Sequence, residues 1–163
     1  MIEPGAKIAN DVIIGPFSYI GAEVTLHSGV EIKSHVVVTG KTEIEQGTVV
    51  YSFAVIGEIP QDLKFNGEKT SLKIGKRNQI RENVTINVGT AGGGGVTRVG
   101  DDCLFMTGSH VAHDAKIGDN VIVANCGAVA GHCVIEDDVI IGGLSGIHQF
   151  VRIGRGAIIG AVT

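Results

Sequence analysis

A group of residues in the second half of the chain has the chemistry for acid–base catalysis. An imidazole changes its protonation near neutral pH, and a neighbouring carboxylate can orient it. A glycine allows a backbone N–H to approach a reacting oxygen closely. The members recur at intervals close to 18 residues, and they are His110, His113, Asp114, Gly131, His132, His148 and Gln149.

The elements that must position this group follow a repeat of six residues. Aliphatic residues recur at every sixth position from Ile2 to Ile56, from Ile74 to Ile86 and, after a shift of one residue, from Val99 to Ile159, with Phe105 as the exception. A period of six fits neither a helix nor a long flat strand, but it fits a short strand followed by a turn. The repeat therefore predicts an all-β fold in one domain, residues 1–163.

Three hexads close a triangular coil of 18 residues, so the 24 repeat positions predict about eight stacked coils. The pattern resembles that of the hexapeptide-repeat proteins, which form left-handed parallel β-helices. The left hand is implied by this resemblance, because the general crossover rule predicts the opposite hand.

The coil length converts sequence spacing into geometry. His113, Gly131 and Gln149 differ by 18 residues each, so we expect them in one column, with His132 one coil above Asp114. None of them occupies an aliphatic repeat position, and we expect a polar cluster at one edge of the prism. His27 and His35 lie in regular coils, where structural roles are expected.

Two segments interrupt the repeat and are predicted to leave the prism as loops, at about 57–73 and 87–98. Continuing the period through the first segment would bury the carboxylates of Asp62 and Glu68, which is too costly. The second segment contains four consecutive glycines, Gly92–Gly95, but it lacks the Gly-Lys-Ser/Thr ending of a nucleotide P-loop. Polar loops on a rigid scaffold are common places for binding groups.

Metal binding is the main alternative chemistry for the histidines. The β-helical carbonic anhydrases bind zinc through three histidines, and their pattern places one of them five residues before the position of His113. This chain has Gly108 there, and its three cysteines lack metal-ligand spacing. We therefore predict no metal and no cofactor, and we expect reduced thiols in a cytoplasmic protein.

Composition excludes several other classes of protein. The chain has 13 Lys and Arg against 17 Asp and Glu, a net charge of −4, so it lacks the basic surface of a nucleic-acid-binding protein. We find no apolar run long enough to span a membrane, and no N-terminal signal segment. The 44% of hydrophobic residues is sufficient for a packed core.

Four segments carry a more specific resemblance, namely 59–64 (IPQDLK), 109–114 (SHVAHD), 130–132 (AGH) and 146–150 (GIHQF). They resemble signature segments of the UDP-N-acetylglucosamine O-acyltransferases. That family transfers an (R)-3-hydroxyacyl group from acyl carrier protein to the 3-hydroxyl of UDP-N-acetylglucosamine, the first step of lipid A synthesis. The resemblance also implies a homotrimer with its sites between the prisms.

The resemblance implies a role for each matching residue. His113 corresponds to the general base, Asp114 orients the imidazole or stabilises its charged form, and the N–H of Gly131 corresponds to the donor to the oxyanion. Asn87 stands where many members have a histidine, which leaves the choice between a hydroxyl and an amino acceptor open. The substrate-binding residues implied are Gln61, Asp62, Lys64, Asn87, His110, His132, His148 and Gln149.

Two other functions remain open at this point. One is a related hexapeptide acyl- or acetyltransferase acting on another nucleotide sugar, and the other is an inactive β-helical scaffold. The UDP-N-acetylglucosamine O-acyltransferases that this sequence resembles continue into a C-terminal helical domain, whereas this sequence ends at Thr163 inside a hexad. We therefore expect a piece of a longer protein, with a natural short paralogue as the alternative. Arg152 and Arg155 are candidates for a basic patch that contacts the acidic carrier protein.

Overall fold

The computed structural model describes residues 1–163 as a parallel β-helix of 23 short strands. Three flat sheets form its faces, and consecutive strands along the chain go to successive faces. Face 1 contains β1 (Lys7–Ile8), β4 (Thr25–Leu26), β7 (Lys41–Ile44), β10 (Ser71–Ile74), β13 (Val96–Val99), β16 (Lys116–Ile117), β19 (Val134–Ile135) and β22 (Arg152–Ile153).

The other two faces have the same construction. Face 2 contains β2 (Ile13–Ile14), β5 (Glu31–Ile32), β8 (Val49–Val50), β11 (Gln79–Ile80), β14 (Leu104–Phe105), β17 (Ile122–Val123), β20 (Ile140–Ile141) and β23 (Ile158–Ile159). Face 3 contains β3 (Tyr19–Ile20), β6 (Val37–Val38), β9 (Val55–Glu58), β12 (Thr85–Asn87), β15 (His110–Val111), β18 (Ala128–Val129) and β21 (Gly146–Ile147). An isolated bridge between Ile2 and Ile20 completes its first coil.

Parallel pairing joins each strand to the strands one coil below and above. On face 3, His110 pairs with Ala128 and Ala128 pairs with Gly146, so residues 18 apart are neighbours. The prediction of an all-β prism with about eight coils is confirmed.

The repeat residues form the core because one side of each short strand points inward. A single cluster of 32 buried hydrophobic residues runs along the axis of the prism. Phe105, the one aromatic in the repeat, is fully buried within it. The interior is thus filled mainly by one continuous ladder. Some polar side chains are buried beside it, and two of them, Thr48 and Asn78, donate to backbone carbonyl oxygens.

The edges of the prism require an unusual backbone conformation. Fourteen non-glycine residues have positive φ, and they stand mostly at the second residue of a turn between faces. Asp114 (φ 59°), His132 (φ 62°) and Phe150 (φ 64°) occupy this position on three successive coils. Asp and His tolerate it better than most residues. We call this edge, between face 3 and face 1, the histidine edge.

Two loops leave the prism between face 3 and face 1. Loop 1 spans residues 59–70 between β9 and β10, and loop 2 spans residues 88–95 between β12 and β13, with one turn of 3-10 helix at Ala91–Gly93. The predicted bounds, 57–73 and 87–98, were too wide. The flanking strands β9, β10 and β13 have four residues rather than two, which absorbs the ends of both segments, and β10 pairs with β13 in register (Ser71 with Val96).

No helix in the structure has the length and apolar character needed to cross a lipid bilayer.

Candidate active site

His113 and Asp114 form a hydrogen-bonded pair at the histidine edge. Nδ1 of His113 lies 3.0 Å from Oδ2 of Asp114. Both are buried, with 7% of the His113 side chain and 0% of the Asp114 side chain exposed. On its other side, Nε2 of His113 is 4.0 Å from Oδ2 of Asp62 on loop 1. Asp114 thus holds the imidazole at Nδ1, and the Nε2 side of the ring faces loop 1.

Loop 2 supplies further donors to the Asp114 carboxylate. The N–H of Thr90 lies 3.0 Å from both carboxylate oxygens, and the Thr90 hydroxyl donates to Oδ2 at 2.6 Å. Burial alone raises the pKa of the Asp114 carboxyl, but the hydrogen bonds from Thr90 and His113 outweigh it. The pKa therefore lies below its ordinary value, and Asp114 is ionised at neutral pH.

An ionised carboxylate only accepts hydrogen bonds, so Asp114 selects the tautomer of His113 that carries its proton on Nδ1. Nε2 then holds the free lone pair. This is the arrangement of a general base with an orienting carboxylate.

Gly131 lies against the imidazole one coil above His113. A Cβ atom at position 131 would stand 2.5 Å from Cε1 and 2.7 Å from Nε2 of His113, so only glycine fits without displacing the ring. The N–H of Gly131 donates to no acceptor within the chain. It is available to a ligand beside Nε2.

His132 and Phe150 extend the edge upward as a stack of rings. The His132 ring meets the His113 ring edge-on at 4.9 Å and stacks on Phe150 at 4.5 Å with an interplanar angle of 2°. Nδ1 of His132 lies 3.9 Å from Oδ2 of Asp114. Asp114 therefore faces both histidines.

His110 stands on face 3, next to the pair. Its Nδ1 is 2.7 Å from Oγ1 of Thr85. Burial lowers the pKa of His110 below its ordinary value, so the ring is neutral near pH 7. A neutral ring can still donate one hydrogen bond to a ligand.

Two adjoining cavities, of about 460 and 440 Å³, open beside the pair. The first lies over face 3, and the second lies between loop 1 and the histidine edge. Ten of the eleven predicted site residues line one or both, while Asp114 lies beneath His113. The ten are Gln61, Asp62, Lys64, Asn87, His110, His113, Gly131, His132, His148 and Gln149.

The side chain of Asn87 hydrogen-bonds to the protein backbone, which the sequence did not predict. Its amide nitrogen donates to the carbonyl oxygens of Glu58, at 3.3 Å, and Ile59, at 3.1 Å, and the residue is buried. The side chain thus anchors the start of loop 1. Its contact with substrate stays a prediction.

Residues outside the cluster have local partners. His27 lies 3.0 Å from Oε1 of Glu43 on face 1, and the His35 ring lies between the rings of Phe17 and Phe53. The predicted basic patch is largely neutralised, because Arg152 pairs with Glu136 and Arg155 pairs with Asp137.

Two groups offer three potential metal ligands within 4.8 Å of one another, namely His113, Asp114 and His132, and His27, Glu43 and Glu45. In the first group, Oδ2 of Asp114 already accepts hydrogen bonds from Thr90 and His113. This geometry favours a hydrogen-bonded catalytic pair.

Sequence reasoning missed Thr90, Gly93 and Thr97. Thr97 accepts the N–H of Asp114 at 2.8 Å, and a Cβ on Gly93 would stand 2.0 Å from Cγ of Asp114. Thr90 and Gly93 belong to loop 2, where the 18-residue arithmetic fails. The available signal was the run of glycines, which indicated close backbone approach without indicating to what.

Comparisons with known proteins bear on the fold and the family of the chain. The family described as "Bacterial transferase hexapeptide (six repeats)" matches residues 5–40 and 97–131. The acyl-[acyl-carrier-protein]–UDP-N-acetylglucosamine O-acyltransferase of Rhizobium johnstonii is 50% identical over all 163 residues, which cover 60% of that relative.

Two solved structures are also similar. LpxA from Acinetobacter baumannii is 47% identical with a TM-score of 0.99, and the alignment covers 100% of this chain and 63% of that one. LpxA from Bacteroides fragilis, a UDP-N-acetylglucosamine acyltransferase, is 39% identical with a TM-score of 0.72, and the alignment covers 94% and 67%. The predicted left-handed β-helix of hexapeptide repeats is confirmed. The chain spans about 60% of the length of the curated relative.

Proposed function

We propose that this chain, which belongs to the hexapeptide-repeat family of UDP-N-acetylglucosamine O-acyltransferases, is the catalytic prism of such an enzyme. It transfers an (R)-3-hydroxyacyl group from acyl carrier protein to the 3-hydroxyl of UDP-N-acetylglucosamine, the first step of lipid A biosynthesis. The observation that carries the proposal is the buried His113–Asp114 pair, whose Nε2 atom faces the cavities.

His113 is the general base of the reaction. Its Nε2 takes the proton of the sugar hydroxyl while that oxygen forms a bond to the thioester carbonyl carbon. The carbonyl oxygen becomes negatively charged, and the N–H of Gly131 donates to it. Collapse of the intermediate breaks the C–S bond, and the proton on His113 passes to the departing sulfur of the carrier.

The residues around the pair hold the sugar nucleotide. Lys64 on loop 1 is exposed and has no ion-pair partner within the chain, so its charge is available to a phosphate. His110 provides a neutral donor on face 3, and His132 and Gln149, which line the cavity beside the base, contact the glucosamine and its acyl substituent. Asp62, Gln61, Asn87 and His148 complete the lining.

A homotrimer is part of the proposal. The cavity over face 3 is open to solvent along the prism, so a neighbouring prism is needed to enclose substrate. The edge between face 2 and face 3 exposes Phe17 and Phe53, with 81% and 57% of each residue accessible, and Leu144. Contact of three such edges around an axis parallel to the prism places face 3 of one subunit in each cleft.

The cytoplasm is the proposed compartment. Cys103, Cys126 and Cys133 are all free thiols, as expected where thiols are kept reduced.

Thermal-shift titration of the full-length protein tests the substrate assignment. Ligands that bind only the folded state raise the unfolding temperature by mass action. We expect a shift with UDP-N-acetylglucosamine and none with acetyl-CoA, together with acyl transfer from acyl carrier protein. A shift with acetyl-CoA and not with the nucleotide sugar favours an acetyltransferase, and no shift with either favours a scaffold. Both results contradict the proposal.

A further inference from the structure

Loop 2 makes three polar contacts with one carboxylate, and all of them come from Thr90. The backbone N–H of Thr90 donates to both oxygens of the Asp114 carboxylate, and its hydroxyl donates to Oδ2, the oxygen that also faces Nδ1 of His113. Thr90 is itself buried, so water does not compete for these donors. Without them, the fully enclosed Asp114 carboxylate would have only His113 as a close donor.

Gly93 brings the backbone of loop 2 against the same carboxylate. A Cβ at position 93 would lie 2.0 Å from Cγ and 2.2 Å from Oδ2 of Asp114. A Cβ on its neighbour Gly92 would meet no atom within 4 Å. Position 93 therefore requires glycine for close packing, whereas position 92 does not, although the two glycines are adjacent in sequence.

Loop 2 is held in place by its own bonds and by loop 1. The N–H groups of Gly93 and Gly95 donate to the Thr90 carbonyl oxygen, at 3.1 and 2.8 Å, which closes the turn. The N–H of Ala91 donates to Oε1 of Glu68 on loop 1 at 3.2 Å. The donors on Thr90 are thus presented from a closed turn.

We propose that loop 2 is the positioning element of the catalytic pair, acting on Asp114 through the donors of Thr90 and the close contact of Gly93. The inference rests on the proposed function, because it assigns the loop a part in proton transfer at His113. Thr90 makes no hydrogen bond to His113; it acts through Asp114, whose carboxylate it holds ionised and in line with Nδ1.

The contacts from Thr90 favour the ionised form of the Asp114 carboxyl. Burial raises the pKa of the Asp114 carboxyl, and the hydrogen bonds from Thr90 lower it. The other titratable groups facing the carboxylate are His113 and His132, with Asp62 beyond the His113 ring. Removing the Thr90 hydroxyl raises the pKa of Asp114, and a protonated Asp114 no longer selects the tautomer of His113 with a free Nε2.

Substitution of Thr90 in the full-length enzyme separates positioning from folding. We expect Thr90→Val to lower kcat roughly 10- to 100-fold, the worth of a hydrogen bond to a charged group, with a nearly unchanged KM. Its loss of activity on the acid side should begin at higher pH than in the wild type. Thr90→Ser, which keeps the hydroxyl, should restore most of the rate.

Thr48→Val is the matched control. Thr48 is also buried, and its hydroxyl donates to the Gly75 carbonyl at 2.9 Å, far from the histidine edge. This variant should lower the melting temperature and leave kcat unchanged. A wild-type kcat and pH profile in Thr90→Val, or a Thr90→Ser variant as slow as Thr90→Val, overturns the proposal.

The adjacent glycines give a second, independent comparison. Gly93→Ala should reproduce the loss of kcat, because its methyl group displaces the Asp114 carboxylate, whereas Gly92→Ala should retain the wild-type rate. Equal rates in the two variants contradict the assigned role of Gly93.

A readout without substrate distinguishes this inference from the proposed function. In ¹⁵N-histidine-labelled protein, the His113 ring, assigned by comparison with His113→Ala, should carry its proton on Nδ1 in the wild type and lose that preference in Thr90→Val. If the tautomer shifts but the wild type transfers no acyl group, the proposed function fails and the positioning stands. If the tautomer is unchanged, the positioning role fails whatever the activity.

Discussion

His113 can act as a base only if one of its two ring nitrogens is free, so the positions of the neighbouring carboxylates matter. Asp114 lies 3.0 Å from Nδ1, whereas Asp62 lies 4.0 Å from Nε2, outside hydrogen-bonding distance. Nε2 is thus left for substrate. Because Asp62 belongs to loop 1, the loop that is proposed to bind the sugar nucleotide also faces the reactive nitrogen.

At this scale we predict that His113→Ala lowers kcat of the full-length enzyme by about 10²–10⁴-fold, the usual contribution of a general base. His113 lies outside the aliphatic ladder, so the folded structure should survive, as checked by circular dichroism and thermal unfolding. His27→Ala on face 1 is the control and should leave kcat unchanged. A folded His113→Ala variant with a normal rate would exclude the base assignment.

At the scale of elements, the strands and the loops have different tasks. The two-residue strands keep the columns 18 residues apart and so align His113 with Gly131. The loops carry the groups that the columns cannot supply, namely the Thr90 donors on loop 2 and the Lys64 ammonium on loop 1. A rigid scaffold with polar loops is a common construction for binding sites.

Loop 1 provides a prediction about binding. Lys64→Ala should raise KM for UDP-N-acetylglucosamine roughly 10- to 100-fold with little change in kcat, because it removes the proposed charged contact to phosphate. Since the side chain is exposed and unpaired within the chain, the melting temperature should not fall. Lys69→Ala, an exposed lysine of the same loop outside both cavities, is the control. An equal effect of both variants would indicate a general charge effect.

At the scale of the whole molecule, the open cavity and the exposed aromatic edge both favour association. The His35 ring is tilted against the Phe17 ring at 5.0 Å and stacks on the Phe53 ring at 5.1 Å, and the two phenylalanines expose much of their surface to solvent. Large exposed apolar side chains that form a contiguous strip commonly mark an interface.

We predict that light scattering of the full-length protein shows a trimer and that Phe53→Glu weakens it, since a carboxylate at the seam is costly to bury. Activity should fall with the loss of trimer and recover at high protein concentration. Lys116→Glu, on the outward face 1, should remain trimeric and active. A monomeric wild type with full activity would contradict the shared cleft.

Much of the fold and part of the site followed from the sequence. The aliphatic period predicted the sheets and the eight coils, because each hexad must place one side chain in a narrow core. The same period predicted that His113, Gly131 and Gln149 lie in one column, since 18 residues return the chain to the same face.

The way in which the loops complete the catalytic pair is visible only in the folded molecule. The donors of Thr90 to Asp114, the contact of Gly93 with the same carboxylate and the approach of Asp62 to His113 all come from residues without a repeat position. The prism and its columns can be read from the amino-acid sequence alone, because a strict period fixes the register along the chain. The loops have no period, so their paths depend on the surfaces and hydrogen-bond partners they meet in the folded molecule.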